Sequence, residues 1–245
     1  MSIKEKRINN LLHNGRMLCV PLDHGVTNID ISHLSNFTRT ANDVISGGAS
    51  SIIIHKGLVR FLPADFNAGL IVHVSASTEN VRPVQKVLVC EVEEAIKLGA
   101  DAISVHVNLH NDFEKQMIQD LAKISRDCNA YNMPLLAMMY IRDNNNQDVS
   151  TPELVKHSIR LATELGADIV KIGANWEPDE LRQIIRDALI PVVIAGGDVL
   201  EAEQLYTLTR EAMKTGILGI SFGRNVFMSK KPANTIKQLA DIIYN

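Results

Sequence analysis

Eight short apolar segments punctuate the chain, many of them β-branched and each bounded by Gly, Asp or Asn. They fall at 17–23, 51–55, 69–75, 102–108, 134–140, 168–172, 191–195 and 217–222. Apolar runs without clean polar alternation suit parallel strands buried on both faces. Between them the spacing turns helical, at 91–98, 112–130, 152–165, 178–187, 200–215 and 232–244. The segment at 152–165 carries a full set of end signals. Thr151 is placed to cap it, Pro152 and Glu153 open it, and Gly166 follows its last residue. The 56–68 connection is too short and irregular for a full helix.

One phrase recurs as GGASSIII, LGADAISV and LGADIVKI. Each is a helix end, a Gly, a small residue and a strand, the turn that closes one β/α unit and opens the next. Eight such strands in a chain of 245 residues predict a single (β/α)₈ TIM barrel spanning 1–245. The competing architecture, a doubly wound open sheet, is disfavoured because neither G-x-G nor G-x-x-x-x-G-K-[ST] occurs. No low-complexity stretch or linker marks a second domain; the nearest thing to one is the polar loop at 142–151.

Composition narrows the function by exclusion. With 25 Lys and Arg against 28 Asp and Glu, the net charge of −3 lacks the basic excess of a nucleic-acid protein. Aromatic residues make up only 4%, which leaves few rings to stack bases. No apolar run approaches the roughly 18 residues of a membrane span. MSIKEKRINN is not followed by an apolar stretch, so a secretory signal is not expected. Cys19, Cys90 and Cys128 are odd in number and irregular in spacing, which suggests free thiols in a cytoplasmic protein.

In a barrel, chemistry belongs to the C-terminal strand ends and the loops beyond them. Those ends carry Asp23 and His24, His55 and Lys56, His73 and Ser75, His106 and Asn108, Tyr140 and Arg142, Lys171, Gly196 and Gly197, and Gly223 and Arg224. Lys171 lies within its apolar run, where burial is expected to favour a neutral amine able to attack a carbonyl carbon. The bland alternative is a structural lysine paired with an acid such as Asp23. AGGD and FGRN follow the seventh and eighth strands, where barrels commonly hold a phosphate on glycine N–H groups. Arg224 adds charge there. Tyr140 and Asp23 are candidate proton-transfer groups, with a satisfied core tyrosine and a loop-capping aspartate as their plain readings. His24, His55, His73 and His106 invite a metal, but they come from separate strands without HxH or HExxH spacing. Hydrogen bonding to substrate or loop backbone suits them better.

VPLDHG, IIIHKGLVR, HVSASTENVRP, ADAISVHVN, PLLAMMY, ELGADIVK, VVIAGGD and FGRNVF occur in the order of one enzyme group. The chain resembles the archaeal-type class I aldolases, a family that also holds deoxyribose-phosphate aldolase-like barrels. The resemblance runs from about residue 15 to residue 243. It implies a TIM barrel, commonly a decamer of two five-membered rings, that uses no metal or other cofactor. It also implies that Lys171 forms the Schiff base, with Asp23 and Tyr140 moving protons or orienting substrate. Gly196, Gly197, Gly223 and Arg224 would cradle a phosphate, with His24, Ser75 and His106 as further substrate contacts.

Two segments depart from the family pattern. Ile141, Arg142 and Asp143 stand where Pro-Arg-Gly is usual, and Ile172 to Trp176 replace a Thr or Ser followed by Tyr. Both flank the expected pocket and bear on the aldehyde partner. HVN and AMMY resemble the branch that joins a donor derived from a ketose phosphate or dihydroxyacetone phosphate to L-aspartate semialdehyde, in an alternative route to aromatic compounds or on a path to aminohydroxybenzoates. Four other readings stay open at this stage: a fructose-bisphosphate aldolase, a metal-dependent aldolase, a phosphosugar isomerase or epimerase with Lys171 and Asp23 as acid and base, and a non-catalytic phosphate-binding barrel.

Overall fold

A computed structural model describes residues 1–28, 30, 32–79 and 84–245. The last four residues of the HVSASTENVRP motif therefore lie outside the described residues. Eight parallel strands close into a barrel in chain order. They are β1 (Met17–Pro21), β2 (Ser51–Ile54), β3 (Gly69–His73), β4 (Ala102–Leu109), β5 (Leu135–Ile141), β6 (Ile169–Ile172), β7 (Val192–Ala195) and β8 (Gly219–Ser221). Each sits on an expected apolar run. The ring closes where Met17 of β1 pairs with Gly219 of β8.

Helices at Val92–Lys97, Glu114–Ala130, Pro152–Glu164, Pro178–Ile185, Ala202–Met213 and Pro232–Tyr244 match the helical spacing. Thr151 Oγ1 accepts from Leu154 N at 3.3 Å, and Gly48, Gly99 and Gly166 take the positive φ that the repeated phrase requires. Only a 3₁₀ turn, Lys56–Phe61, connects β2 and β3. Several elements escape the pattern: helices Ile3–Asn10 and Phe37–Ser46, the short helical turns His24–Thr27, Ser32–Leu34 and Arg224–Phe227, and an antiparallel ribbon of Ser75–Ala76 with Val87–Leu88 between β3 and β4. No helix among the described residues is long and apolar enough to cross a membrane.

Strand period two sorts the side chains into two cores. Outward residues such as Leu18, Val20, Ile52, Ile54, Val170 and Ile172 pack under the helices. Inward residues Met17, Cys19, Ile53, Ile71, Ala102, Leu136, Met138, Ile169 and Val193 fill the barrel. The N-terminal helix closes the lower end. Fully buried Leu11 joins the inner core there, while Lys4 reaches Asp168 (2.7 Å) and Asn10 donates to Asp101 (2.8 Å).

Candidate active site

Following the inward stripe up each strand shows where the chemistry comes from. Cys19 leads by twos to Asp23, Ile71 to His73 and Ser75, Ala102 to His106 and Asn108, Leu136 to Tyr140 and Arg142, and Ile169 to Lys171. The stripe turns from apolar to polar at the upper mouth of the barrel. There it lines a cavity of about 490 Å³. Asp23, His24, Ser75, His106, Tyr140, Lys171, Gly196, Gly197, Gly223 and Arg224 all border this one space, as do His55, His73, Asn108 and Arg142. Lys56 does not. It turns outside and pairs with Glu94 at 2.9 Å.

Lys171 is buried in the cavity wall, only 6% exposed, at the level where β6 pairs with Met138 of β5. Among the described residues no carboxylate stands within 4.0 Å of its ammonium nitrogen, so the ion pair of a merely structural lysine is not formed. Tyr140 lies one turn of the pleat above Met138, its ring tilted over His106 at 4.8 Å. It borders the cavity while packing on the inner core below it. Asp23 does not cap the helical turn His24–Thr27 with its side chain. Its carboxylate instead sits 3.5 Å from His24 Nδ1 and 4.0 Å from His73 Nε2.

The cavity's electrostatics follow from these neighbours. Burial pushes the Asp23 carboxyl upward, but His73, His24, Lys171 and His55 outweigh it and hold the group at about 2. Burial lowers His73 to about 4 and also depresses His24, with Asp23 opposing both shifts only in part. Burial and nearby Lys86 drive His106 well below its usual range. At pH 7 the site thus holds an ionised Asp23 beside neutral His73 and His106. Among the described lining residues, four basic side chains (Lys86, Arg142, Lys171, Arg224) stand against three carboxylates (Asp23, Asp148, Asp198). A chain of net −3 therefore gathers its basic side chains at this pocket, which suits an anionic ligand.

The phosphate candidates form one unit. Asn225 Nδ2 donates to the carbonyls of Gly196 and Asp198, each at 2.9 Å, and its Oδ1 accepts from Leu200 N at 2.8 Å. Arg224 Nη2 donates to Gly197 O at 2.7 Å, tying the same two loops together. Gly223 leaves no room for a side chain, since a Cβ there would come within 2.5 Å of His24 Cε1 and 2.8 Å of Pro21 O. His24 Nδ1 itself has no hydrogen-bond partner among the described residues. Ser75 Oγ accepts from His106 N (2.9 Å), and His106 Nε2 bonds Asn108 Oδ1 (2.9 Å), so these residues also orient one another. His55 and His73 lie with ring centroids 5.3 Å apart, yet no group of three His, Cys, Asp or Glu among the described residues could hold a metal.

Both unusual segments border the cavity. Arg142, Asn146 and Asp148 come from one, with Arg142 and Asp148 3.4 Å apart; Gly173, Ala174 and Asn175 come from the other. Two residues escaped the sequence reading. Asn225 lies inside FGRN yet reads as an ordinary loop amide. Lys86 lies in a β3–β4 connection whose course no spacing reveals, and it too is buried in the wall.

Comparison with known proteins agrees with this geometry. The DeoC/LacD family aldolase profile matches residues 17–229. The chain is 36% identical over 245 residues to 2-amino-4,5-dihydroxy-6-oxo-7-(phosphonooxy)heptanoate synthase of Streptomyces griseus, covering 98% of this chain and 89% of that one. It is 37% identical over 246 residues to 2-amino-3,7-dideoxy-D-threo-hept-6-ulosonate synthase 1 of Archaeoglobus fulgidus, covering 98% and 91%. Among solved structures, it superposes with a TM-score of 0.91 and 26% identity over all of both chains on an archaeal fructose-1,6-bisphosphate aldolase. That structure has its catalytic lysine covalently bound to the carbinolamine intermediate of the substrate.

Proposed function

Because this chain belongs to the DeoC/LacD aldolase family and is a class I, Schiff-base aldolase, we propose that Lys171 is its Schiff-base lysine and that it joins dihydroxyacetone phosphate to L-aspartate semialdehyde. The observation that carries this reading is Lys171 itself. It is buried in the cavity wall, free of any carboxylate partner among the described residues, and flanked by Tyr140 and the paired glycine loops.

The choice of substrates comes from the relatives' products. The heptanoate named for the Streptomyces relative is a β-hydroxy ketone with its ketone at C6. Reversing an aldol addition at its C4–C5 bond yields dihydroxyacetone phosphate and aspartate semialdehyde. The glycine loops supply a place for the phosphate that this donor carries.

Lys171 Nζ adds to the C2 carbonyl, and the carbinolamine loses its hydroxyl as water to leave an iminium. That cation draws the electrons of a C3–H bond into an enamine as the proton leaves. The enamine carbon bonds to the aldehyde carbon, whose oxygen takes a proton. Water then returns to the iminium and frees the lysine. Tyr140 and ionised Asp23, which line the same cavity as Lys171, carry the protons at the carbinolamine and at the reacting carbon and oxygen. Gly196, Gly197, Gly223 and Arg224 hold the phosphate, so a remote contact fixes C2 against the amine. His24, whose Cε1–Nε2 edge meets Gly223, is a further substrate contact beside the phosphate.

Borohydride added with dihydroxyacetone phosphate reduces the iminium and should leave a mass adduct on the Lys171 peptide. Lys171→Met should lose the adduct and roughly 10⁴-fold in kcat/KM. No adduct, or an adduct on Lys86, would overturn the assignment.

A further inference from the structure

We propose that Lys86 reads the carboxylate of the acceptor aldehyde and so sets the enzyme's preference for an aldehyde that carries one. This rests on the aldol reading above and adds to it the residue that selects the second substrate.

Barrel topology places Lys86 on the acceptor's side. In a ring of eight strands, β3 and β4 stand opposite β7 and β8. With the donor phosphate held by the β7 and β8 loops and C2 at Lys171 on β6, the nucleophilic C3 points away from the phosphate. The acceptor must then fill the half of the cavity bounded by β3, β4 and β5. Lys86 enters that half from the β3–β4 connection, and its course there is fixed. Asn108 Nδ2 donates to Val84 O at 2.7 Å, Val89 N bonds Val74 O at 2.8 Å, and Leu88 pairs with Ser75.

Among the described residues Lys86 has no carboxylate paired with it directly. Lys86 is 8% exposed, lines the cavity, and donates to the neutral Ser77 Oγ. Among the described residues no carboxylate lies within ion-pair distance of it, whereas Arg142 has Asp148 and Arg224 has Asp198. A buried cation without an anion is costly to fold around, and a bound carboxylate would supply the missing charge. Burial lowers the ammonium to about 8, with Asp23 opposing and Arg142 assisting, so it is still a cation at neutral pH. A monoanion fits better than a second phosphate. A dianion here would meet one lysine beside neutral His106 and His73, with the Asp23 carboxylate nearby.

The test compares succinic semialdehyde with butyraldehyde at saturating dihydroxyacetone phosphate. The two acceptors share chain length but only the first has a carboxylate. Wild type should favour the charged aldehyde in kcat/KM. Lys86→Met should shrink that preference by about 30-fold, and Lys86→Arg should keep most of it. A wild type without preference, a Lys86→Met preference that stands unchanged, or equal losses on both aldehydes would each overturn the role. Borohydride trapping of the donor reports folding and the lysine chemistry separately. If Lys86→Met fails to trap, the preference is read from Lys86→Gln against Lys86→Arg. A wild type that traps no donor refutes the Schiff-base reading instead.

Discussion

Burial works against an ammonium group, so a lysine kept inside a cavity wall sets stability against function. For Lys86 the sign can be worked out. Its ordinary value of 10.5 falls to about 8 in the folded chain, mainly through burial, with Arg142 adding repulsion and Asp23 offsetting part of it. Histidines 73 and 106 face the same group and are neutral at pH 7. Between pH 8 and 10.5 the unfolded chain binds more protons than the folded one, so wild-type stability rises with pH across that window. Below it the full penalty, about 3 kcal/mol, is present. Lys86→Met should therefore melt roughly 5 °C higher than wild type at pH 7, with the gap closing as pH rises toward 10.5. Calorimetry at several pH values checks both the direction and the closure. A variant that gains stability while losing acceptor preference marks a residue held for function. At this scale the sequence offered Lys171, Asp23 and Tyr140 as strand-end groups, and all three line the cavity because each continues an inward stripe by steps of two. Lys86 belongs to no stripe, and its burial comes with the pairing of its described neighbours Val84, Leu88 and Val89 to Asn108, Ser75 and Val74.

Asn225 joins two elements that are separate in the chain. Its side chain holds the β7 loop at Gly196, Asp198 and Leu200, while its backbone belongs to the short helix Arg224–Phe227 after β8. Replacing it with Ala leaves part-buried backbone groups without their side-chain partner and loosens both halves of the phosphate cradle. Asn225→Ala should raise KM for dihydroxyacetone phosphate by about 10- to 100-fold and change kcat far less, because Lys171 and Tyr140 stand on other strands. Initial rates over a donor series separate the two constants. At the element scale, clear capping and long amphipathic spacing carried through from sequence, as at Thr151, Pro152 and Gly166. The helix Phe37–Ser46 did not stand out, since its buried positions are only Ala41 and Val44 and turns precede it. The ribbon between β3 and β4 has two residues on each side, too few for alternation to register.

The whole molecule separates its stability from its chemistry along the barrel axis. Polar groups gather at the upper mouth, and the N-terminal helix seals the other end with Leu11 inserted among Met17, Ile53, Ile71, Leu136 and Ile169. Leu11→Ala opens a cavity in that seal and should cost about 3 kcal/mol, seen as a lower urea midpoint. Its kcat/KM under folding conditions should match wild type, because the seal lies at the opposite end from Lys171. A loss of activity in the folded variant would show that the two ends are coupled.

The amino-acid sequence by itself determined the strand count, the closing turns and the ring of groups at the mouth. These follow from local rules: strand side chains alternate faces, and glycine alone takes positive φ freely after a helix. Only the tertiary structure decided which residues outside the strands complete the cavity, which charges are paired and which are left open. Asn225 and Lys86 reach the site through loops whose return path depends on several packed elements at once. Lys56, at a strand end, turns away because Glu94 waits outside. A strand's face is set by its neighbours in sequence, whereas a loop's destination is set by everything it packs against.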